Sequence, residues 1–347
     1  MQPGLSFATF AEEIERQAKS KRDFIGDTRN MKVYFDEDQF KINLDAEEFG
    51  LNSIAHEQIG SKLGIPKKYY DRMKAENPLL LQENINSWFQ TQPKKRMVRT
   101  LDETARSFLG EGYRRLDNYD LALAILPVLW NSDVQIKSAQ LTERKLYIQA
   151  VTPSLEQEVK KGEIVQAGII ISNSEVGYGC VNIKPLIFRL VCSNGMITGQ
   201  TLRKYHIGRH NNNGDDISEL LTDETKKLDD QAFWAKVKDV VSNSLGDETN
   251  FVKQVKKLQE TTQRQITAPL EGIVEITSQK FGLSETEKDG VLKKLIQNGD
   301  LTQYGLTNAI TAQAHQINDY DRSVDFERYG GKLIELPQNE WEAWNKN

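Results

Sequence analysis

The sequence is poor in the residues that most often announce catalysis. Histidine occurs four times and cysteine twice in 347 residues. His56, His206, His210 and His315 form no Ser/His/Asp or Cys/His arrangement that spacing can reveal. His206 and His210 stand four apart, as helical metal ligands do, but lack the glutamate placement of a zinc protease, so no metal is assigned. No glycine loop of the phosphate-cradling kind occurs, because Gly177-Tyr-Gly is followed by neither the later glycine nor a Lys-Ser/Thr pair. Nucleotide hydrolysis is therefore disfavoured, and no cofactor is implied. Cys180 and Cys192 lie in apolar runs at a spacing that fits neither a zinc pair nor a redox pair, so buried reduced thiols are expected. No apolar stretch approaches the roughly 20 residues of a membrane span. Met1 to Ser20 lacks the basic start and apolar centre of a secretory signal, and a cytoplasmic protein without a membrane partner is expected.

Charge is present in quantity and unevenly placed. The net charge is −5. Residues 1–92 hold 12 basic and 15 acidic residues, residues 93–210 hold 17 and 11, and residues 211–347 hold 16 and 24. A basic middle with a surplus of six thus lies between two acidic flanks. Within it, Arg96, Arg99, Arg106, Arg114 and Arg115 follow Lys94-Lys95, and the stretch Lys184 to His210 contains Lys184, Arg189, Arg203, Lys204 and Arg209 with no acidic residue. Clusters of this kind suit phosphate, although a solvated face is the commoner fate of charge runs.

Periodicity divides the chain into three regions. In residues 1–92, a mainly helical region is expected. Ala55, Ile59 and Leu63 recur at helical spacing, Gly64 can end that helix and Pro66 can open the next. The resulting helix–turn–helix offers two readings. Reading DNA with its second helix is the weaker one, since Lys67-Lys68-Tyr69-Tyr70-Asp71 presents few base-reading side chains; packing is the stronger. In residues 93–210, an antiparallel-sheet core is expected. Met97–Leu101 and Ala105–Leu109 read as short strands, and Asp117 or Asn118 caps a helix through Trp130. Val134–Leu141 alternates and pairs across Thr142-Glu-Arg with Lys145–Val151, and Val165–Ser172 and Tyr178–Cys192 are further strands. Pro185 predicts an edge or a bulge for the last of these. In residues 211–347, an acidic helical lobe is expected, with Phe233–Val241, Phe251–Leu258, Glu285–Gln297 and Thr307–Asp319 as its best segments. The fold class is α+β: an antiparallel central sheet with flanking helices and a C-terminal helical lobe.

The most specific run is Gly168-Ile-Ile-Ile-Ser-Asn-Ser-Glu-Val-Gly-Tyr-Gly-Cys, followed by Phe188-Arg-Leu-Val-Cys-Ser-Asn-Gly-Met. Asn173, Ser174, Glu175 and Gly177 mark one expected tight turn, and Asn194 and Gly195 a second. Together with Ile65-Pro-Lys-Lys-Tyr-Tyr-Asp-Arg-Met, Arg99-Thr-Leu, Gly112-Tyr-Arg-Arg-Leu-Asp-Asn, Asn308-Ala-Ile-Thr-Ala and Gly330-Gly-Lys, these runs resemble the phage- and plasmid-borne family known as domain of unknown function 932. The resemblance spans roughly residues 50 to 335. It implies a phage, plasmid or integrated-element setting in a bacterial host cell, and it carries no established activity.

A basic antiparallel sheet with helices is similar in outline to phage single-strand annealing proteins, an analogy of class alone. Single-strand binding needs cations along the backbone and aromatic faces for bases. Arg96, Arg99, Arg106, Arg114, Arg115, Lys184, Arg189, Arg203, Lys204 and Arg209 are the expected cations. Phe108, Tyr113, Phe188 and Tyr205 are the candidate aromatics, with Phe108 and Phe188 alternatively in the core. The leading expectation is therefore a non-catalytic nucleic-acid-binding protein, with single-stranded DNA as partner and homo-oligomers as its working form. Two alternatives stand beside it: a metal-dependent nuclease or hydrolase using Glu175, Asp117 and Asp120, and a protein whose acidic lobe binds a host factor.

Overall fold

A computed structural model describes residues 4–191, 193–199, 202–204 and 223–346. It is an α+β fold built on two mostly antiparallel sheets. Helix α1 (Phe7–Ser20) leads into β1 (Arg22–Asp27), β2 (Lys32–Asp36), β3 (Gln39–Leu44) and β4 (Glu47–Leu51). Helices α2 (Ser53–Lys62), α3 (Lys67–Glu76) and α4 (Pro78–Thr91) follow, and then β5 (Lys95–Leu101) and β6 (Thr104–Gly110). The first sheet runs β1-β5-β6-β4-β3-β2, antiparallel except where β4 meets β6. It therefore draws strands from both sides of residue 92, and the region expected to be mainly helical contributes four of its strands.

One face of this sheet is apolar by alternation: Val33, Phe40, Ile42, Phe49, Val98 and Phe108 are buried against Ile59 of α2, Tyr70 and Met73 of α3, and Leu81, Ile85 and Phe89 of α4. The helix pair α2–α3 thus spends its apolar side on the sheet, and His56 Nδ1 lies 2.7 Å from the Tyr70 hydroxyl inside it. Burial drives the His56 imidazole down to about 3, keeping it neutral. The outer edge of the sheet is closed by side chains. Val33 N–H donates to Asn86 Oδ1 at 2.9 Å, Asn86 Nδ2 donates back to the Val33 carbonyl, and Phe35 N–H donates to Gln82 Oε1. Two amides of α4 occupy the hydrogen-bonding groups that an unprotected edge strand offers to another chain.

The second sheet comprises β7 (Gln135–Leu141), β8 (Leu146–Lys160), β9 (Glu163–Asn173), β10 (Val181–Arg189), β11 (Asn194–Ile197) and β12 (Leu202–Lys204), preceded by α5 (Asn118–Asn131). The order is β11-β10-β9-β8-β7, with β12 also on β10. The strand β8 continues through a charged stretch, because Glu156 and Glu158 alternate outward while Val159 turns in. Neither the edge nor the bulge expected from Pro185 is found, since β10 has neighbours on both sides and pairs with β9 in unbroken register. Residues 181–183 pair with β12 and residues 186–189 with β11, so Pro185 falls in the gap where that side needs no N–H donor.

Helix α6 (Asp223–Leu245) joins α1 and α5 on one face of this sheet, where Phe233, Val237 and Val241 meet Ile148, Ile169, Ile171 and Ile183. The other face receives α7 (Glu248–Gln263), α10 (Gln303–Gln313) and α11 (Tyr320–Ile334). Helices α8 (Leu270–Phe281), α9 (Glu285–Asn298) and α12 (Gln338–Trp344) complete a helical lobe around Val274, Leu295, Leu306, Phe326 and Trp341. Helix α11 passes through Gly330-Gly331. A Cβ at Gly331 would stand 1.8 Å from the Ile197 carbonyl oxygen, and one at Gly330 would stand 2.3 Å from Thr311 Cγ2. The two glycines let α11 lie directly on β11 and α10.

Candidate functional site

The turn after β9 joins the two sheets. Asn173 Nδ2 donates to the Leu116 carbonyl at 2.7 Å and to Asn118 Oδ1 at 2.9 Å. Tyr113 OH donates to the Ser174 carbonyl at 3.0 Å, and Gln58 Nε2 to the Val176 carbonyl at 2.7 Å. Gln58 Oε1 also accepts the Phe108 N–H, so one side chain bridges α2, β6 and the turn. Gly177 takes φ 83°, and a Cβ there would lie 2.7 Å from Leu109 Cδ2. In the second expected turn the left-handed residue is Ser193, at φ 48°, while Asn194 and Gly195 are paired within β11.

Glu175 is the electrostatic centre of this joint. Its carboxylate accepts from Arg106 and, through Oε1, from the Asn118 N–H at 2.7 Å, capping the N-terminus of α5. Arg99 is 0% exposed. Its guanidinium donates to Asp23 Oδ1 at 2.7 Å, Asp117 Oδ1 at 2.6 Å and the Glu175 carbonyl at 3.1 Å. Lys21 pairs with Asp117, and Arg115 reaches Asp23 at 3.5 Å. Burial favours the neutral acid at Asp117, but Arg99 and Lys21 outweigh it and hold the carboxyl below its ordinary range. Two buried cations, Arg99 and Arg106, and the partly buried Lys21 are paired with Asp23, Asp117 and Glu175. The three carboxylates are thus each engaged by a cation, although the buried Arg106 Nε has no hydrogen-bond partner among the described residues.

The structure places the expected contact residues as follows. Arg99 and Arg106 are buried in the joint. Arg189 is buried against Glu163 at 2.6 Å, above the Tyr304 ring. Arg114 is held by Asp229 at 2.6 Å and by Asp230, both on α6. Tyr113 is spent on Ser174. Phe108 stacks on Phe89 in the core with 5.6 Å between ring centroids, and Phe188 is buried beneath Lys137. These groups are consumed because the sheets and helices that carry them are held together by them. Arg96 is half-buried over Phe108, and Arg115 remains 52% exposed at its side chain. Arg203 and Lys204 belong to β12, opposite Asn182 and Val181. Tyr205 and Arg209, with His206 and His210, lie outside the described residues, as does Cys192. Cys180 is a buried free thiol. Of the acidic trio, Glu175 and Asp117 are brought together but are interleaved with Lys21, Arg99 and Arg106. Among the described residues, no group of three or more His, Cys, Asp or Glu side chains is arranged to hold a metal ion.

Among the described residues, a cationic cleft lies beside the joint. A cleft of about 230 Å³ is lined by Lys145, Tyr147, Ser172, Tyr178, Asn182, Lys184 and Arg328, with Ile170, Ile197 and Val324 as apolar wall. Strand register builds its floor. Tyr147 faces Ser172 and Ser172 faces Asn182 across three strands, with Ile170 opposite Lys184 in the next row. Burial, and next the Arg328 charge, push the Lys145 ammonium below the usual lysine range. At the rim, Arg144 lies over the Tyr178 ring at 5.0 Å, and the Tyr178 hydroxyl donates to Glu57 Oε2 at 2.6 Å. Of these residues only Lys184 belongs to the set expected from the charge runs. Arg144, Lys145 and Arg328 lie outside those runs, so charge density along the sequence does not single them out.

The fold and site define a class: a two-sheet α+β protein whose sheets are locked by a buried ion-pair joint, with a cationic cleft beside it among the described residues. The chain belongs to the family described as Domain of unknown function (DUF932), whose family model matches residues 107–328. That range contains the joint turn, the second sheet, α10 and most of α11. The resembling runs Ile65–Met73, Arg99-Thr-Leu and Gly330-Gly-Lys fall outside it. No curated protein and no solved structure matches the chain. Among the described residues, no helix is long and apolar enough to cross a membrane.

Proposed function

We propose that the chain is a nucleic-acid-binding protein of a phage or plasmid that engages single-stranded DNA, acting in recombination or replication as a homo-oligomer. The observation that carries this reading is the cleft. Lys145, Lys184 and Arg328 converge on it, and Arg144 and an accessible tyrosine ring stand at its rim. Cations beside a ring face are the two elements that sequence-tolerant strand binding requires. The reading rests on these side chains rather than on the arginines of the joint, which are neutralised by their own carboxylates. Hydrolysis through Glu175 has less support, since its carboxylate is already bound by Arg106 and the Asn118 amide.

Fluorescence anisotropy with a labelled single-stranded oligonucleotide tests the proposal. Lys184→Glu and Arg144→Glu are expected to weaken binding and to lower the slope of log affinity against log salt by about one per charge removed. Equal affinity of parent and variants, or no binding by the parent at low salt, refutes it.

A further inference from the structure

We infer that the cleft receives a single nucleotide unit of the strand, with its phosphate on Lys145, Lys184 and Arg328 and a donor group of its base on Asn182. The inference rests on the strand-binding reading and names what the site itself holds. The cleft offers more than a phosphate uses. Asn182 Oδ1 is buried and has no hydrogen-bond partner among the described residues. A buried carbonyl oxygen left unpaired is costly, and a ligand N–H satisfies it. The neighbouring Ile170, Ile197 and Val324 provide an apolar wall that suits a base and gives nothing to an inorganic ion.

The cationic side is prepared for an anion. The Lys145 side chain runs beside the turn at Gly179, its Cε 3.4 Å and its Nζ 3.9 Å from where a Cβ would stand, which is ordinary contact. Its charge is disfavoured by burial and by Arg328, a combination that a phosphate would relieve. Arg328 leans on Asp325 at 3.0 Å, with both side chains about one-third exposed, a surface pair weak enough to be exchanged for a phosphate. Tyr147 is committed elsewhere, donating to Asp321 Oδ1 at 2.7 Å, which leaves Asn182 and Ser172 as the polar floor. A volume of about 230 Å³ takes one such unit and not a folded oligonucleotide.

Isothermal titration of the full chain with deoxyadenosine 5′-monophosphate, thymidine 5′-monophosphate and inorganic phosphate tests this directly. One saturable site is expected, with at least one nucleotide about tenfold tighter than phosphate. Lys145→Gln should abolish nucleotide binding. Asn182→Leu should weaken it about tenfold while leaving the salt slope of strand binding unchanged, because no charge is lost. Lys184→Gln, at a half-exposed position, is the second charge variant, and thermal melts of all three confirm folding. Nucleotides binding no tighter than phosphate, or an Asn182→Leu protein with unaltered nucleotide affinity, overturn the inference. If strands still bind in that case, the broader reading survives; if strands fail to bind at low salt, the broader reading itself falls.

Discussion

Glu327 of α11 carries a pH dependence that can be worked from its surroundings. The residue is 1% exposed, between the helical lobe and the second sheet. Burial raises its carboxyl from 4.5 to about 7, outweighing the hydrogen bonds from Gln149 Nε2, at 2.7 Å, and from the Gly195 backbone. The folded state therefore holds a proton that the unfolded chain releases near pH 4.5. Stability is greatest below that value, falls as pH rises from 4.5 to 7, and stays reduced above 7. The shift corresponds to about 3 kcal/mol at 1.36 kcal/mol per pH unit. Glu327→Gln keeps the shape and the neutral state at every pH. In urea unfolding measured between pH 5 and 8.5, the variant should match the parent at the acid end and exceed it by about 3 kcal/mol at the alkaline end. Parallel stability curves for parent and variant across that range would refute the reasoning, because they would place the same charge on Glu327 in both folded and unfolded chains.

Three further perturbations probe the joint and its supports. Glu175→Gln leaves Arg106 buried without its anion and weakens the cap on α5, so urea unfolding should show a loss of about 3–5 kcal/mol, with retained stability contradicting the ion-pair account. Gly331→Ala drives a methyl group into the Ile197 carbonyl and should lower the thermal midpoint by several degrees, whereas an unchanged midpoint would mean that α11 does not lie on β11 as described. Asn86→Ala uncovers the Val33 amide and carbonyl on the edge strand β2. A loss of about 1–3 kcal/mol and concentration-dependent association by light scattering are expected, and a monodisperse variant of parental stability counts against edge protection by α4.

Much of the fold was readable because alternation and helical spacing decide which face is buried. The hairpin of β7 and β8, the helix pair α2–α3 and the start of α5 at Asn118 follow from those patterns. Three features share one cause, contacts between segments remote in sequence. Gly330-Gly331 lies within α11, and the need for glycine there comes from Ile197 and Thr311. Pro185 reads as a marker of an edge or a bulge but sits inside the second sheet, at a gap made by two partner strands. The first sheet crosses residue 92 because β5 and β6 find β1 and β4, a pairing that composition does not encode. The same cause explains the site. A count of arginines identifies where charge is dense, but Asp23, Asp117 and Glu175, which neutralise Arg99 and Arg106, arrive from three separate segments. Density of charge thus points to the joint, while Lys145 and Arg328 of the cleft stand outside the dense runs.

Lysine acetylation footprinting, read by mass spectrometry with and without saturating single-stranded DNA, tests the central claim most directly. The account predicts that Lys145 and Lys184, in the cleft, become protected while Lys67 and Lys74 on α3 do not. Protection confined to Lys94 and Lys95 at the start of β5, or no protection of Lys145 and Lys184 under conditions where DNA is bound, would contradict it.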